Sequence, residues 1–398
     1  MNIIRLISKA RDVKSGDYLS FFPLVAAFLV SRFYRNTYCN TWGIGERKDE
    51  ARDNGFHFFK YMVENHPEQR CIYAIDRNCT DYQRVAELGE TVQYGSFKHW
   101  ILYFTCKYLI SSQAFKPNGY MCTFIERAGL FHPNHIFLQH GITINKPVFL
   151  LAQYRRAKYF IAGAEPEYEF LKSEFGYPDG TIQYTGFARF DALHDYNTND
   201  KRILIMPTWR KWLHFKSETH EDAQFDLDSS NYISNWKALL QSEKLQHLID
   251  EFDLDVVFYP HPNMKGDLKP EKIVGPKIRV ADPEIDDLQE LMKSSAMMIT
   301  DYSSTFFDMV YMKKPIIFYQ FDEEKFRKYH YQQGWFDYHK TAFGNTCRTS
   351  EEVIQDLIVH IKNHFTVSQE FLSEHRKDFQ LFDNKNSQRI YAALAEIP

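Results

Sequence analysis

The sequence predicts an α/β protein made of two doubly wound, parallel-sheet halves, and three features of the chain predict it. Short apolar or β-branched runs alternate with segments long enough to be crossover helices. A polar stretch without periodicity, from Asp191 to Arg202, interrupts that alternation. The alternation then resumes, and its strands run into turns rich in Pro, His, Asp and Ser. A chain of 398 residues is long enough to give each half its own core.

Taken in order, the first strong apolar run is Leu19 to Val30, with Arg5, Lys9, Arg11 and Lys14 before it. Spanning a bilayer takes about 20 apolar residues, so this run is too short to cross one. The charge pattern suits a signal peptide, yet Ser31-Arg32-Phe33 offers no small-residue cleavage site. Two readings stay open: a buried first helix, or a monotopic anchor with basic residues on anionic lipid and aromatic rings in the interface. Strands are expected at Cys71 to Ile75, Tyr108 to Ser111, Ile136 to Leu138, Tyr159 to Ala162 and Thr181 to Tyr184. After the polar stretch, strands are expected at Ile203 to Met206, Asp255 to Tyr259, Ala296 to Thr300 and Ile316 to Tyr319. The domains are accordingly 1–195, 196–378, and a C-terminal segment 379–398 that is amphipathic and returns toward the first domain.

Composition excludes some functions. A net charge of −4 argues against a nucleic-acid binder, because affinity for a phosphate backbone needs a surplus of Lys and Arg. The cysteines Cys39, Cys71, Cys79, Cys106, Cys122 and Cys347 form no C-x-x-C pair, which fits reduced, cytosolic thiols. Neither G-x-G-x-x-G nor G-x-x-x-x-G-K-[ST] occurs, so no dinucleotide fingerprint or P-loop is present.

In open α/β sheets ligands sit beyond the carboxyl ends of the strands. Asp301-Tyr302-Ser303-Ser304 follows an apolar strand, and Thr305 with Asp308 gives a capping signal that starts a helix near Ser304. Free N–H groups and two hydroxyls would then form an anion site, most naturally for phosphate, or else a plain solvated cap. His140 comes directly after a strand, and Gly141 beside it allows another group to approach the backbone closely. An imidazole there suits a general base or, structurally, a donor to a nearby carbonyl. His261 stands between Pro260 and Pro262, which fix its backbone. Arg210, after Pro207-Thr208-Trp209, is a planar fork suited to a diphosphate or to a surface ion pair. His132 and His135 have a metal-like spacing, but Pro133 lies between them and no further ligand follows, so no metal is expected.

Together these motifs resemble the CDP-glycerol glycerophosphotransferase family, which builds teichoic acids and glycerol-phosphate-containing capsules. The resemblance is carried by Trp42-Gly43-Ile44-Gly45-Glu46-Arg47, Ala51-Arg52-Asp53-Asn54-Gly55, Gln139-His140-Gly141 and Tyr184 through Asp191. It continues through Pro207-Thr208-Trp209-Arg210, Tyr259-Pro260-His261-Pro262 and Thr300-Asp301-Tyr302-Ser303-Ser304, in the family's order. It implies a GT-B-like architecture, an acceptor-side domain first, a CDP-alcohol-binding domain second and a cleft between them. It also implies His140 and His261 as the catalytic residues, with Gly141, Thr208, Arg210, Asp301, Ser303 and Ser304 binding substrate.

The implied reaction moves glycerol phosphate from CDP-glycerol to a hydroxyl of a lipid-linked glycan, with no cofactor, at the cytoplasmic face of the membrane. Alternatives are a CDP-ribitol ribitolphosphotransferase, a nucleotide-sugar glycosyltransferase of the same architecture, and a non-catalytic binding protein for such ligands. Two departures from the family pattern stand out: Thr300 where serine is common, and Ile142-Thr143-Ile144-Asn145-Lys146 after His140-Gly141, which bears on the acceptor.

Overall fold

The computed structural model describes residues 20–195, 198–213, 231–261 and 270–396. In the first half β1 (Trp42–Gly45), β2 (Cys71–Ile75), β3 (Thr91–Gln93), β4 (Tyr108–Ser111), β5 (His135–Phe137), β6 (Tyr159–Ala162) and β7 (Ile182–Tyr184) form one sheet. Its order is β3-β2-β1-β4-β5-β6-β7 and every neighbouring pair is parallel. In the second half β8 (Asn199–Met206), β9 (Asp255–Phe258), β10 (Arg279–Val280), β11 (Ser295–Thr300), β12 (Ile316–Tyr319) and β13 (Gly344–Cys347) form another. Its order is β10-β9-β8-β11-β12-β13, again all parallel. Strands β2, β4, β11 and β12 are buried along their whole length, because crossover helices cover both faces of a parallel sheet. Such strands read in the sequence as unbroken apolar runs.

Each strand order reverses direction once, between β1 and β4 in the first sheet and between β8 and β11 in the second. That reversal opens a crevice at the strands' carboxyl ends, since the chain leaves the two central strands toward opposite faces.

The polar stretch from Asp191 to Arg202 is only partly a linker. Residues 188–193 form a 3-10 helix whose Ala188, Phe190 and Leu193 are buried in the core. At the other end β8 already begins at Asn199, paired with Ser295, and Arg202 makes an ion pair with Asp255 at 2.6 Å. Residues 199–201 look like a linker because that end of the strand is exposed and can carry polar side chains. Residues 196–197 lie outside the described residues.

The C-terminal helix Asn386–Ala395 packs on the first domain. Tyr391 stacks on His66 with ring centroids 3.6 Å apart, the Asn386 and Ser387 N–H groups each donate to Asp191 at 2.8 Å, and Arg389 Nε donates to the Thr185 carbonyl at 2.8 Å. The chain therefore crosses between the domains twice.

The first described helix, Phe21–Tyr38, buries Leu24, Ala27 and Ser31 and lies against the helix Phe97–Thr105, with the Phe28 and Phe104 rings 5.3 Å apart. Its opposite face exposes Phe21, Phe22, Leu29 and Phe33. It is thus buried along one stripe and apolar along the exposed one. Among the described residues no helix is long and apolar enough to cross a membrane. Arg5, Lys9, Arg11 and Lys14 lie outside the described residues.

Candidate functional site

The turn after β5 is built to hold one histidine outward. Gln139 is buried and has φ +61°, a left-handed conformation that a residue with a Cβ adopts only when its surroundings enforce it. Three bonds enforce it here. Asn54 Nδ2 donates to the Gln139 carbonyl at 2.7 Å, Gln139 Nε2 donates to Thr143 Oγ1 at 2.6 Å, and the His140 N–H donates to Gln139 Oε1 at 3.0 Å. The far end of the turn is tied by Glu167, which accepts from the Thr143 N–H at 2.5 Å and from the Gly163 N–H at 2.7 Å. Burial raises the Glu167 carboxyl to about 7 against the pull of those N–H donors.

His140 itself is exposed at the surface. Protein walls displace water from around its ring, and the cations Arg155, Arg189 and Arg47 add to that effect, so its pKa is lowered to about 4. A hydrogen bond to the Ser112 backbone opposes the shift and orients the ring. At neutral pH the imidazole is uncharged and can accept a proton.

The turn after β11 does the reverse and draws its charge inward. Asp301 is fully buried, and its Oδ1 accepts from the Thr208 N–H at 2.8 Å and the Tyr302 N–H at 2.7 Å. Its Oδ2 lies 2.9 Å from Arg210 Nη2, while Arg210 also grips Asp322 at 2.8 and 3.0 Å and donates to the Thr208 carbonyl at 2.7 Å. The Arg210 side chain is 0% exposed. It is therefore neither a surface ion pair nor a fork presented to a diphosphate. It fastens the turns after β8 and β11 to each other, which leaves the Thr208 backbone fully engaged; Tyr232 also donates to the Thr208 carbonyl at 3.1 Å.

The expected helix cap differs as well. The helix runs only from Phe306 to Tyr311, and Thr305 makes no side-chain cap bond. Asp308 cannot complete a capping box because its carboxylate is held by Arg189 at 2.7 and 2.8 Å. Ser303 Oγ donates to Thr305 Oγ1 at 3.0 Å and accepts from the Thr305 N–H at 3.3 Å, so this hydroxyl shapes the turn. So short a helix supplies little dipole, and any anion binding here falls to the turn itself.

Across the domain boundary the two turns meet. A Cβ placed on Gly141 would stand 3.3 Å from Ser304 Oγ, so the glycine lets the β5 turn approach the β11 turn closely. His261 follows β9 on the same side of the second sheet, half-buried, with its ring 6.3 Å from that of Trp209. Pro262, the second of its flanking prolines, lies outside the described residues. His140, Gly141 and Ser304 thus share one cleft and His261 sits at the same sheet edge, whereas Asp301 and Arg210 stand behind it as scaffold. The histidines of the metal-like spacing are engaged elsewhere: His135 with Glu126 at 3.0 Å and His132 with Arg156 at 3.1 Å. A separate pocket of about 520 Å³, bordered by Trp335, Asp337, Glu374 and Asp378, includes none of these site residues.

Sequence reasoning missed a buried network directly behind the cleft. Arg189 joins Asp53 of the first domain (3.0 Å) to Asp308 of the second, and Asn54 links it to Gln139. Glu46 orders the same corner by accepting from the Arg52, Asp53 and Phe56 N–H groups at 3.1, 3.0 and 2.6 Å, and burial raises its carboxyl to about 8. One signal was available: Arg189 is a lone cation among Phe187, Ala188 and Phe190, a setting that a charge occupies only when paired.

A family model described as CDP-Glycerol:Poly(glycerophosphate) glycerophosphotransferase matches residues 38–396. The chain is 31% identical over 367 residues to the minor teichoic acid biosynthesis protein GgaB of Bacillus subtilis, covering 89% of this chain and 40% of GgaB. It therefore spans less than half the length of that relative. It is 25% identical over 330 residues to a teichoic acid poly(glycerol phosphate) polymerase of Bacillus spizizenii, covering 75% of this chain and 77% of that one. Among solved structures, a variant of the wall teichoic acid polymerase TagF superposes with a TM-score of 0.65 at 17% identity, over 96% of this chain and 98% of that one. At that identity the likeness speaks for the fold, which is GT-B-like.

Proposed function

We propose, for a chain that belongs to the CDP-glycerol:poly(glycerophosphate) glycerophosphotransferase family, that it transfers glycerol phosphate from CDP-glycerol to a hydroxyl of a lipid-linked glycan or polymer in teichoic acid synthesis. The observation that carries this reading is the exposed, uncharged His140, whose neighbour Gly141 approaches Ser304 of the second domain. In the reaction the acceptor hydroxyl gives its proton to His140 while its oxygen attacks the phosphorus that bears glycerol. The bond from that phosphorus to the bridging oxygen breaks, and CMP leaves with the electron pair. In this reading His261 and Ser304 steady the diphosphate, while Arg210 and Asp301 fasten the turns after β8 and β11, the second of which carries Ser304.

The acceptor reaches the site from a membrane surface. The helix Phe21–Tyr38 exposes Phe21, Phe22, Leu29 and Phe33 beside Arg32 and Arg35, which suits insertion into the headgroup boundary of anionic lipid. Attachment is peripheral and on the cytoplasmic face. Vesicles rich in anionic lipid should bind the protein at low salt and release it at high salt; no binding at low salt would refute the attachment.

The reaction is tested by incubating the protein with an acceptor lipid and, separately, CDP-glycerol, CDP-ribitol and nucleotide sugars, and following nucleotide release. CMP release with CDP-glycerol alone is expected. Turnover of CDP-ribitol in its place, or of a nucleotide sugar, would assign a different donor.

A further inference from the structure

The geometry points to Arg189 as a positioning residue that holds the His140 turn in register with the Ser303-Ser304 turn across the domain boundary. Its backbone N–H donates to Asn54 Oδ1 at 3.0 Å, and Asn54 Nδ2 donates to the carbonyl of Gln139, the strained residue that aims His140. Its guanidinium is bidentate on Asp308, Nε to Oδ2 at 2.8 Å and Nη2 to Oδ1 at 2.7 Å. Asp308 stands on the short helix that follows Ser303-Ser304 directly. The remaining nitrogen, Nη1, reaches Asp53 Oδ1 at 3.0 Å, next to Asn54 in the chain. One residue thereby ties together the elements that carry both sides of the cleft.

A buried ion pair is seldom the cheapest way to stabilise a core, because removing the charges from water costs about as much as their attraction returns. What the guanidinium supplies is geometry. Two parallel bonds fix distance and angle together, which a lysine ammonium cannot do. The rings of Phe187 and Phe190, 5.0 and 5.4 Å from the guanidinium carbon, flank the fork inside the core. Arg189 touches no reacting group in this arrangement. Its effect on the reaction passes through His140, where a misplacement of about 1 Å can cost on the order of 10²-fold in rate.

The inference rests on the proposed reaction, and the test separates the two. In Arg189→Lys the charge stays and the fork is lost. Turnover should fall about 10- to 100-fold while the Kd for CDP-glycerol, measured by calorimetry, is kept. Added to His140→Ala, the same change should cost less than about twofold more, since a base that is absent cannot be misplaced. Asn54→Ala, which cuts the link to Gln139 and leaves the ion pairs, should show the same non-additivity and covers the case in which Arg189→Lys folds poorly. Full multiplication of the losses in the His140→Ala background, or donor affinity falling in step with turnover, would overturn the assignment. Should the wild-type protein release no CMP, the reaction fails but the positioning is still measurable. The His140 ring resonance in histidine-labelled protein, assigned by its loss in His140→Ala, should shift or split in Arg189→Lys, and a resonance identical to wild type would sink the idea.

Discussion

The turns after β5 of the first sheet and β11 of the second approach each other across the domain boundary and solve opposite problems. The β5 turn holds Gln139 in a strained backbone conformation and brings a titratable ring to the surface, with Asn54, Thr143 and Glu167 holding the turn from behind. The β11 turn buries its charged groups, Asp301 with Arg210 and Asp322, and leaves Ser304 toward the cleft. A transfer reaction needs both. A base must be reachable by the acceptor, whereas donor-side groups act through fixed position and gain from a rigid, dehydrated support.

The contrast breaks most visibly at His140. His140→Ala should lower turnover by about two to four orders of magnitude with donor affinity and thermal stability close to wild type. Near-normal turnover would show that the outward ring is not the base, and the two turns would lose their division of labour.

At Arg210 the opposite signature is expected. Arg210→Met leaves Asp301 and Asp322 buried without their cation and should cost roughly 3–5 kcal/mol of stability in denaturant titration. Unchanged stability with loss of CDP-glycerol binding would mean that the guanidinium reaches the ligand after all.

Ser304→Ala sharpens the comparison more gently. If its hydroxyl donates to the diphosphate, CDP-glycerol affinity falls by about 1.5–3 kcal/mol while cytidine affinity stays the same. Ser303→Ala, whose hydroxyl is engaged with Thr305, should affect both ligands equally through the shape of the turn. Equal losses for both ligands in both variants would make the serines purely structural.

The smallest effect concerns pH. His140 reaches the surface, yet the protein crowded around its ring displaces enough water, with Arg155, Arg189 and Arg47 adding to it, to hold it at about 4, below its ordinary 6.5. A depressed histidine keeps its contribution to stability above the unfolded value and loses it as pH falls from 6.5 toward 4. The acidic limb of kcat/KM should accordingly lie near about 4 rather than 6.5, and Arg155→Met should move it upward. A limb at 6.5 in the wild type would place the titrating base elsewhere.

Strands β2, β4 and β12 could be read to the residue because both faces of each are covered, which favours apolar side chains along nearly the whole run. Strand β1 carried no such signal. Its two glycines give way to the Phe115 ring, which would stand 2.7 Å from a Cβ on Gly43. Edge strand β13, Gly344-Asn345-Thr346-Cys347, is half exposed and reads as polar. The helix after Ser304 starts where Thr305 marks it, but without the capping bonds its spacing suggests: Asp308 has the position of a capping partner, yet a distant arginine outcompetes a local N–H for its carboxylate.

Local chemistry alone therefore determined the α/β class, the two halves of the chain and the turns that border the cleft, because periodicity and strand-end residues are written into consecutive positions. Only the tertiary structure decided which of the marked residues face solvent. His140 and Ser304 are presented, whereas Arg210 and Asp301 are enclosed, since burial depends on what other elements pack over a turn. The same holds for Arg189, whose partners Asp53 and Asp308 come from opposite halves of the chain. A bond between residues so far apart in sequence exists only once both domains have folded and docked, so no window along the chain contains it.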